Sequence, residues 1–361
     1  MTRRRTAVPV LAVLAVLLAA VAACSSPDAG PPSVPASPTA AGTVTPPSAT
    51  ASATPSPPSP PDEPSVRFSV LGDIGSSDAT DAVLRSIAGR RDDFSLAVGD
   101  LSYGRNGAED TWCRFVTDRV GSAYPFELLA GNHESDGPNG DIDRFADCLP
   151  NRLPGLVGSY GRQWYADQPA TNPLVRVVMI SPALDFGHGS WSYDDGTTHQ
   201  QWLRSAVDGA HAAGIAWVVV GMHKPCLSLG RYACDPGIEL VDALLDTGVD
   251  LVLTGHEHLY QRTQPLALGP GCPRVRPDRY VAACLAADRP GTTFVTVGTG
   301  GHELRAVDAS DPERSYFAAF SAENRQPSYG SLDVQVTGDR LTATFVPVAG
   351  GTFTDRVTLT S

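Results

Sequence analysis

Beyond residue 64, short apolar, β-branched runs alternate with helical stripes, and several runs stop at a glycine followed by a polar residue. Residues 66–71 predict a strand that runs into Gly72-Asp73-Ile74-Gly75. Residues 95–98 predict a second, ending at Gly99-Asp100, and residues 126–130 a third, ending at Gly131-Asn132. Residues 175–180 read as a buried strand with no such polar end. Residues 215–220 lead into Gly221-Met222-His223, and residues 249–253 into Gly255-His256. Between these runs, Asp78 predicts a helix N-cap, with Asp81 in the first turn and Val83, Leu84 and Ile87 at helical spacing. Thr198-His199-Gln200-Gln201 predicts a capping box, and Trp202, Leu203, Ala206, Val207 and Ala210 share one face behind it. Residues 238–245 predict a helix closed near Gly248. Residues 293–297 predict a strand ending in Gly298-Thr299-Gly300-Gly301. Leu332, Val334 and Val336 then alternate with polar residues, turn at Gly338-Asp339 and return as Leu341, Ala343 and Phe345, an antiparallel hairpin with one buried face. Strands mixed with helices and followed by a β-rich end predict an α/β sandwich of mixed sheets flanked by helices.

The first 64 residues follow a different pattern. Arg3-Arg4-Arg5 precede an apolar stretch, broken only by Pro9, that closes on Val21-Ala22-Ala23-Cys24. This resembles a lipoprotein-type signal peptide over residues 1–23, with Cys24 as the lipidated new N-terminus. An ordinary secretory signal or a retained anchor are the alternatives, although the run is short for a membrane span. Residues 24–64 are mostly Pro, Ser, Ala and Thr, a composition that buries too little surface to offset its ordering entropy, and they read as a disordered tether. Residues 65–361 are the folded domain of this reading. The expected location is therefore outside the cytoplasm, anchored by lipid to the outer face of the membrane or secreted.

The 361 residues carry a formal charge of −12, which becomes −15 once the three arginines of the first segment are removed. No basic stripe is present, which disfavours a nucleic-acid groove. Six cysteines remain after Cys24, and an even number in an exported chain points to disulfides. Six cysteines allow 15 pairings; the nearest-neighbour set Cys113–Cys148, Cys226–Cys234 and Cys272–Cys284 is the expectation. No CxxC pair favours metal binding by these thiols.

The polar ends of the strands hold the candidate chemistry: Gly72-Asp73-Ile74-Gly75, Gly99-Asp100-Leu101-Ser102-Tyr103, Gly131-Asn132-His133-Glu134, Val220-Gly221-Met222-His223 and Gly255-His256-Glu257-His258. Together they supply enough carboxylate, amide and imidazole donors for two metal ions, with a catalytic group left over. Imidazole suits iron and zinc, while harder ions prefer oxygen. A carboxylate has two oxygens and can bridge two ions, and Asp100 is the natural bridging candidate. His256 and His258, two residues apart, fall on one side of an extended segment. Tyr103 ligates as phenolate only if a strong Lewis acid lowers a pKa near ~10, which points to Fe³⁺.

These five motifs, in this order over residues 72–258, resemble the purple acid phosphatase branch of the calcineurin-like metallophosphoesterases. Many members of the wider family have Asp-x-His in the first motif; here Gly75 stands in place of that histidine and Tyr103 supplies a donor. The resemblance implies a metallophosphoesterase-type fold, with Asp73, Asp100, Tyr103 and His258 around Fe³⁺. It implies Asp100, Asn132, His223 and His256 around a divalent ion, which is Zn²⁺, Fe²⁺ or Mn²⁺. His133 is then unligated, binds the phosphate together with Asn132, and protonates the leaving alcohol. The implied reaction is hydrolysis of small phosphomonoesters by attack of metal-bound hydroxide. A phosphodiesterase or nucleotidase of the same fold is the alternative, and a non-catalytic phosphate- or metal-binding surface lipoprotein is a more distant one.

The chain departs from the family pattern in one respect. Well-studied members carry a further substrate histidine between the fourth and fifth motifs, and no His lies between His223 and His256 here. Lys224, Arg231 or Tyr232 are the candidates to contact phosphate instead, with Lys224 foremost. Glu134 is expected to hydrogen-bond a ligand or cap a helix. His199 and His211 are expected to be solvated, His188 to sit in a Gly-rich loop and His302 to lie where the chain approaches the site. Trp112, Trp164 and Trp202 are expected in the core.

Overall fold

The computed structural model describes residues 63–361, apart from 136, 138, 287–289 and 349. The signal peptide, Cys24 and the tether up to residue 62 lie outside the described residues. The chain begins with β1 (Val66–Leu71), α1 (Asp78–Arg90), β2 (Phe94–Val98), α2 (Glu109–Val120), β3 (Phe126–Leu129), the single turn α3 (Asn132–Ser135) and α4 (Ile142–Cys148). It continues through β4 (Val157–Ser159), β5 (Gln163–Gln168), β6 (Val175–Met179), α5 (Thr198–Ala212), β7 (Trp217–Gly221), α6 (Ile238–Asp246), β8 (Leu251–Thr254) and β9 (Tyr260–Thr263). It ends with β10 (Thr293–Val297), β11 (Phe317–Ser321), β12 (Gly330–Val336), β13 (Arg340–Pro347) and β14 (Asp355–Thr360).

Two mixed sheets result. The first has the order β14-β13-β12-β1-β2-β3, and the second β11-β9-β10-β8-β7-β6-β5-β4. Parallel pairs form the centre of each: β1, β2 and β3 in one, and β10, β8, β7 and β6 in the other. Phe68, Val70, Leu96 and Val334 of the first sheet meet Val177, Val219, Leu253 and Val295 of the second in one apolar layer. On the outer faces, Leu71, Ala97 and Leu128 pack with Val83, Ile87, Val116 and Phe145 of the helices. Val178, Val218 and Val220 likewise pack with Leu203, Val207, Leu240 and Leu244. The parallel strands are covered on both faces, which explains why their sequences are continuous apolar runs rather than alternating ones.

The cap positions differ from expectation by one residue. Ser77, not Asp78, caps α1: its hydroxyl accepts the Thr80 N–H at 3.2 Å, and Thr80 Oγ1 accepts the Ser77 N–H. Thr197, not Thr198, caps α5. In both cases two capping side chains stand next to each other, so side-chain type alone does not choose between them. The alternation-poor β4 and the edge strand β14 had no clear sequence signal. The three disulfides are Cys113–Cys148, Cys226–Cys234 and Cys272–Cys284, the nearest-neighbour set. Trp112 and Trp164 are buried, and Trp202 packs half-buried against Tyr165. His199 is not simply solvated, because it stacks on Trp191 at 4.1 Å and pairs with Gln163. His188 and His211 are exposed. Among the described residues, no helix is long and apolar enough to cross a membrane.

Glu127 lies fully buried in β3, with Oε1 accepting the Leu153 N–H at 2.8 Å. Burial pushes its carboxyl up to about 7, against the pull of Tyr160, the Leu153 N–H and Arg152. The folded state holds this proton more tightly than the unfolded chain, so stability is full at low pH. It is lost as pH rises from the ordinary carboxyl range through about 7. The loss is of order 3 kcal/mol by linkage. Glu127→Gln should remove that slope, read as urea midpoints at pH 5 and 8; a wild-type-minus-variant difference independent of pH would refute the assignment.

Candidate metal centre

All five polar clusters lie just beyond the C-terminal ends of parallel strands, where the two sheets adjoin. Backbone bonds extend the pairing of β1 and β2 into the loops, with Asp73 N–H donating to Gly99 O and Ile74 N–H to Asp100 O. Gly72 N–H donates to Val297 O of the other sheet at 2.9 Å. His223 Nδ1 donates to Val98 O at 2.9 Å, and the His256 N–H donates to Asp73 Oδ2 at 2.8 Å. Side chains from both sheets are therefore tied across the seam by the same groups that form the site.

Four of the expected residues have left-handed backbones: Asp73 (φ 55°), Asp100 (52°), Tyr103 (50°) and His256 (68°). L-residues rarely take this conformation, and it clusters at functional sites. Gly131 is required for a different reason. A Cβ there would collide with the Asp100 carboxylate and backbone nitrogen, so glycine lets the third motif close on the second.

Around Tyr103 Oη lie Asp73 Oδ1 at 3.0 Å, Asp100 Oδ2 at 3.1 Å and His258 Nε2 at 3.1 Å. His258 Nδ1 donates to Glu303 O at 2.8 Å, which leaves its Nε2 as a lone pair. One hydroxyl proton thus faces three acceptors. The second group is similar: His223 Nε2 faces Asp100 Oδ1 and Asn132 Oδ1, both at 3.2 Å. His256, beside His223 at a ring separation of 5.0 Å, completes it. Asp100, His223 and His256 each present a donor atom within 4.8 Å of one another, as do His258, His302 and Glu303.

The electrostatics have the same cause. Burial pushes the Asp73 carboxyl up to about 7. Burial also acts on Asp100, but His223 and His133 hold its carboxyl below the ordinary range. Burial lowers His223, yet Asp100 and Asp73 overcome it and raise the ring to about 9. His256 falls to about 2 through burial and His223, and His258 to about 3 through burial and Arg305, so both rings are neutral and keep a lone pair free. Burial and the two carboxylates raise the Tyr103 phenol, so that only a strong cation could hold it as phenolate. Buried lone pairs outnumber the protons available to them, and the donor set of carboxylates, imidazoles, an amide and a phenol fits metal cations.

His133 lies beside this set with its side chain 30% exposed. Its N–H donates to Asp100 Oδ1 at 3.1 Å, Nδ1 pairs with Asn139 Oδ1, and Nε2 lies 3.6 Å from Asp100 Oδ2. Asn139 also donates to Gly104 O and Tyr103 O, joining the His133 turn to the Tyr103 loop. Glu134 accepts the Leu101 and Gly131 N–H groups at 2.8 and 3.0 Å, linking the second and third motifs rather than touching a ligand side chain. Lys224 forms an ion pair with Asp235 at 3.0 Å.

Tyr232, a candidate phosphate contact from the sequence, and His302, expected near the site, both adjoin the donor set, as does Asn139, which no motif marks. His302 lies over the Tyr103 ring at 3.7 Å, with its N–H on Asp73 O, and Tyr232 stacks on His256 at 4.0 Å.

The two-sheet sandwich, with carboxylates, imidazoles, an amide and a phenol gathered at its strand ends, is of the metallophosphoesterase type. The chain belongs to the calcineurin-like phosphoesterase family, whose model matches residues 66–260. Within that family the similarity runs to the purple acid phosphatases. The chain is 28% identical over 290 residues to purple acid phosphatase 1 of Ipomoea batatas, covering 75% of this chain and 56% of that protein. It is 26% identical over 291 residues to Fe(3+)-Zn(2+) purple acid phosphatase 12 of Arabidopsis thaliana, with 75% and 56% covered. The chain thus spans about half the length of the curated relatives it matches. In fold it is similar to purple acid phosphatase PPD1 of yellow lupin, with a TM-score of 0.60 and 16% identity over 84% of this chain and 55% of that one.

Glu134→Ala removes the acceptor of two buried N–H groups and frees the Asp100 loop from the Asn132 turn. Metal affinity should fall about 10–100-fold, as for other residues that orient ligands. Chelator competition measures this, and an unchanged affinity would show that the loops hold without Glu134.

Proposed function

We propose that this protein is an exported phosphomonoesterase working with two metal ions. The observation that carries the reading is the position of Asp100, whose Oδ2 faces Tyr103 and whose Oδ1 faces His223. One carboxylate thus borders both donor groups. Asp73, Asp100, Tyr103 and His258 would hold Fe³⁺, and Asp100, Asn132, His223 and His256 a divalent ion, Zn²⁺, Fe²⁺ or Mn²⁺. The names of the relatives support this, one of them an Fe(3+)-Zn(2+) enzyme. When bound, such a pair supplies Lewis-acid charge for a phosphate and lowers the pKa of water toward neutrality.

The chain's own residues supply the rest. The His223 and His258 rings are each oriented by a carbonyl, Val98 O and Glu303 O, so that Nε2 points inward. Asn139 holds His133 Nδ1 and directs Nε2 toward Asp100 and the open side of the site. From there His133 donates a hydrogen bond to the phosphate and a proton to the departing alkoxide. Three disulfides suit an oxidising compartment, which agrees with export through residues 1–23 and attachment through Cys24.

Metal analysis of the isolated protein should find iron together with a second metal, and a phenolate-to-Fe³⁺ band in the visible. Tyr103→Phe should abolish the band; a colourless iron-loaded wild type would refute the ligand set. His133→Asn should lower kcat about 10²–10⁴-fold on an alkyl phosphate. The deficit should shrink on a nitrophenyl ester, whose leaving group needs no proton. An equal loss on both esters would remove His133 from the acid role, and preferential turnover of diesters in the same assays would overturn the substrate class.

A further inference from the structure

Beside the donor set is a cluster that the proposed chemistry does not use. Arg231 Nη2 donates to Tyr232 Oη at 2.5 Å, and Arg305 Nη1 donates to the same oxygen at 3.2 Å. The two guanidinium carbons lie 4.7 and 5.7 Å from the Tyr232 ring centroid. Two cationic groups, 74 positions apart in the sequence, therefore converge on one hydroxyl.

The cluster is fixed to the site by several contacts. The Tyr232 ring stacks on His256 at 4.0 Å and 25°, and its N–H donates to the buried Glu257 carboxylate at 2.7 Å. The Arg305 N–H donates to His258 O at 2.8 Å. The Cys226–Cys234 disulfide closes the loop that carries Arg231 and Tyr232.

Among the described residues, neither guanidinium has a carboxylate within ion-pair distance. Arg67, Arg162, Arg176 and Arg262 do. Glu257 and Glu303 influence Arg231 only from farther away. In a chain of net charge −12, two converging guanidiniums that no carboxylate among the described residues pairs with directly form a local anion trap. Tyr232 Oη accepts from both arginines, so its own proton is free to donate to whatever lies between them.

We infer that Arg231, Tyr232 and Arg305 form a subsite for a second anionic group on the substrate, a carboxylate or a further phosphate, carried on the ester's organic part. Planar guanidinium forks match both groups bidentately. The enzyme then selects phosphomonoesters with an extra negative charge over those with neutral alcohols. This deepens the phosphatase reading and rests on it. Lys224, by contrast, is already ion-paired with Asp235.

Calorimetric titration of the metal-loaded full chain tests the subsite without turnover. The probes are methylphosphonate, with one anionic group; phosphonoacetate, which adds a carboxylate; and methylenebisphosphonate, which adds a phosphonate. The wild type should bind at least one doubly anionic probe about 10–100-fold more tightly than methylphosphonate, the range for a charge-assisted pair. The probe preferred identifies the group. Arg231→Gln/Arg305→Gln should bring that ratio to about one, with the visible band as a check that the metals remain. Merely loosened packing would weaken all three probes together and leave the ratio standing, which would overturn the subsite, as would equal binding by the wild type. A metal-loaded wild type that binds no phosphonate would overturn the phosphatase reading itself.

Discussion

An excess of buried lone pairs over protons is the constraint around which the strand ends are built. Asp73, Asp100, His223 and His258 are all at most 2% exposed, and each turns an acceptor toward another acceptor. Without added positive charge the cluster pulls a proton onto His223, whose ring is raised to about 9. Burying such groups together is costly unless something cationic neutralises them. The surrounding scaffold makes the cost bearable by giving each group one backbone partner: Val98 O and Glu303 O accept the outer imidazole protons, and the His256 and His133 N–H groups donate to the carboxylates. Binding of metal and cohesion of the two sheets are therefore one problem, because the bonds that orient the donors are also those that cross the seam.

The architecture explains why so few side chains suffice. Parallel strands buried on both faces end at a common level, so a polar residue placed one or two positions beyond each strand projects into a shared crevice. β1, β2 and β3 contribute Asp73, Asp100 and Asn132, while β7 and β8 contribute His223 and His256. Glu134 and Asn139 then join neighbouring loops to each other, which turns separate strand ends into one rigid rim.

Residues of this kind were legible in the sequence because the signal is local. A β-branched run followed by Gly-Asp, Gly-Asn-His or Gly-His-x-His announces itself within ten positions. What surrounds the site was less legible for the opposite reason. His302 meets Tyr103, and Arg305 meets Tyr232, only after the chain has passed through β10 or several long loops. No periodicity links such positions. Helix caps slipped by one residue at Ser77 and Thr197 because adjacent residues have equal capping ability, and backbone geometry decides between them. The β14 edge was missed since Arg356 and Thr358 alternate with residues that are themselves only partly covered.

The left-handed backbones at Asp73, Asp100, Tyr103 and His256 bear on how such a protein tolerates change. Glycine at any of these places would relieve torsional strain of about 1–3 kcal/mol while deleting a donor. Against that gain stands the loss of Asp73 and Asp100 as acceptors of the His256 and His133 N–H groups. Backbone torsion and bonding across the seam are thus opposed at Asp73 and Asp100.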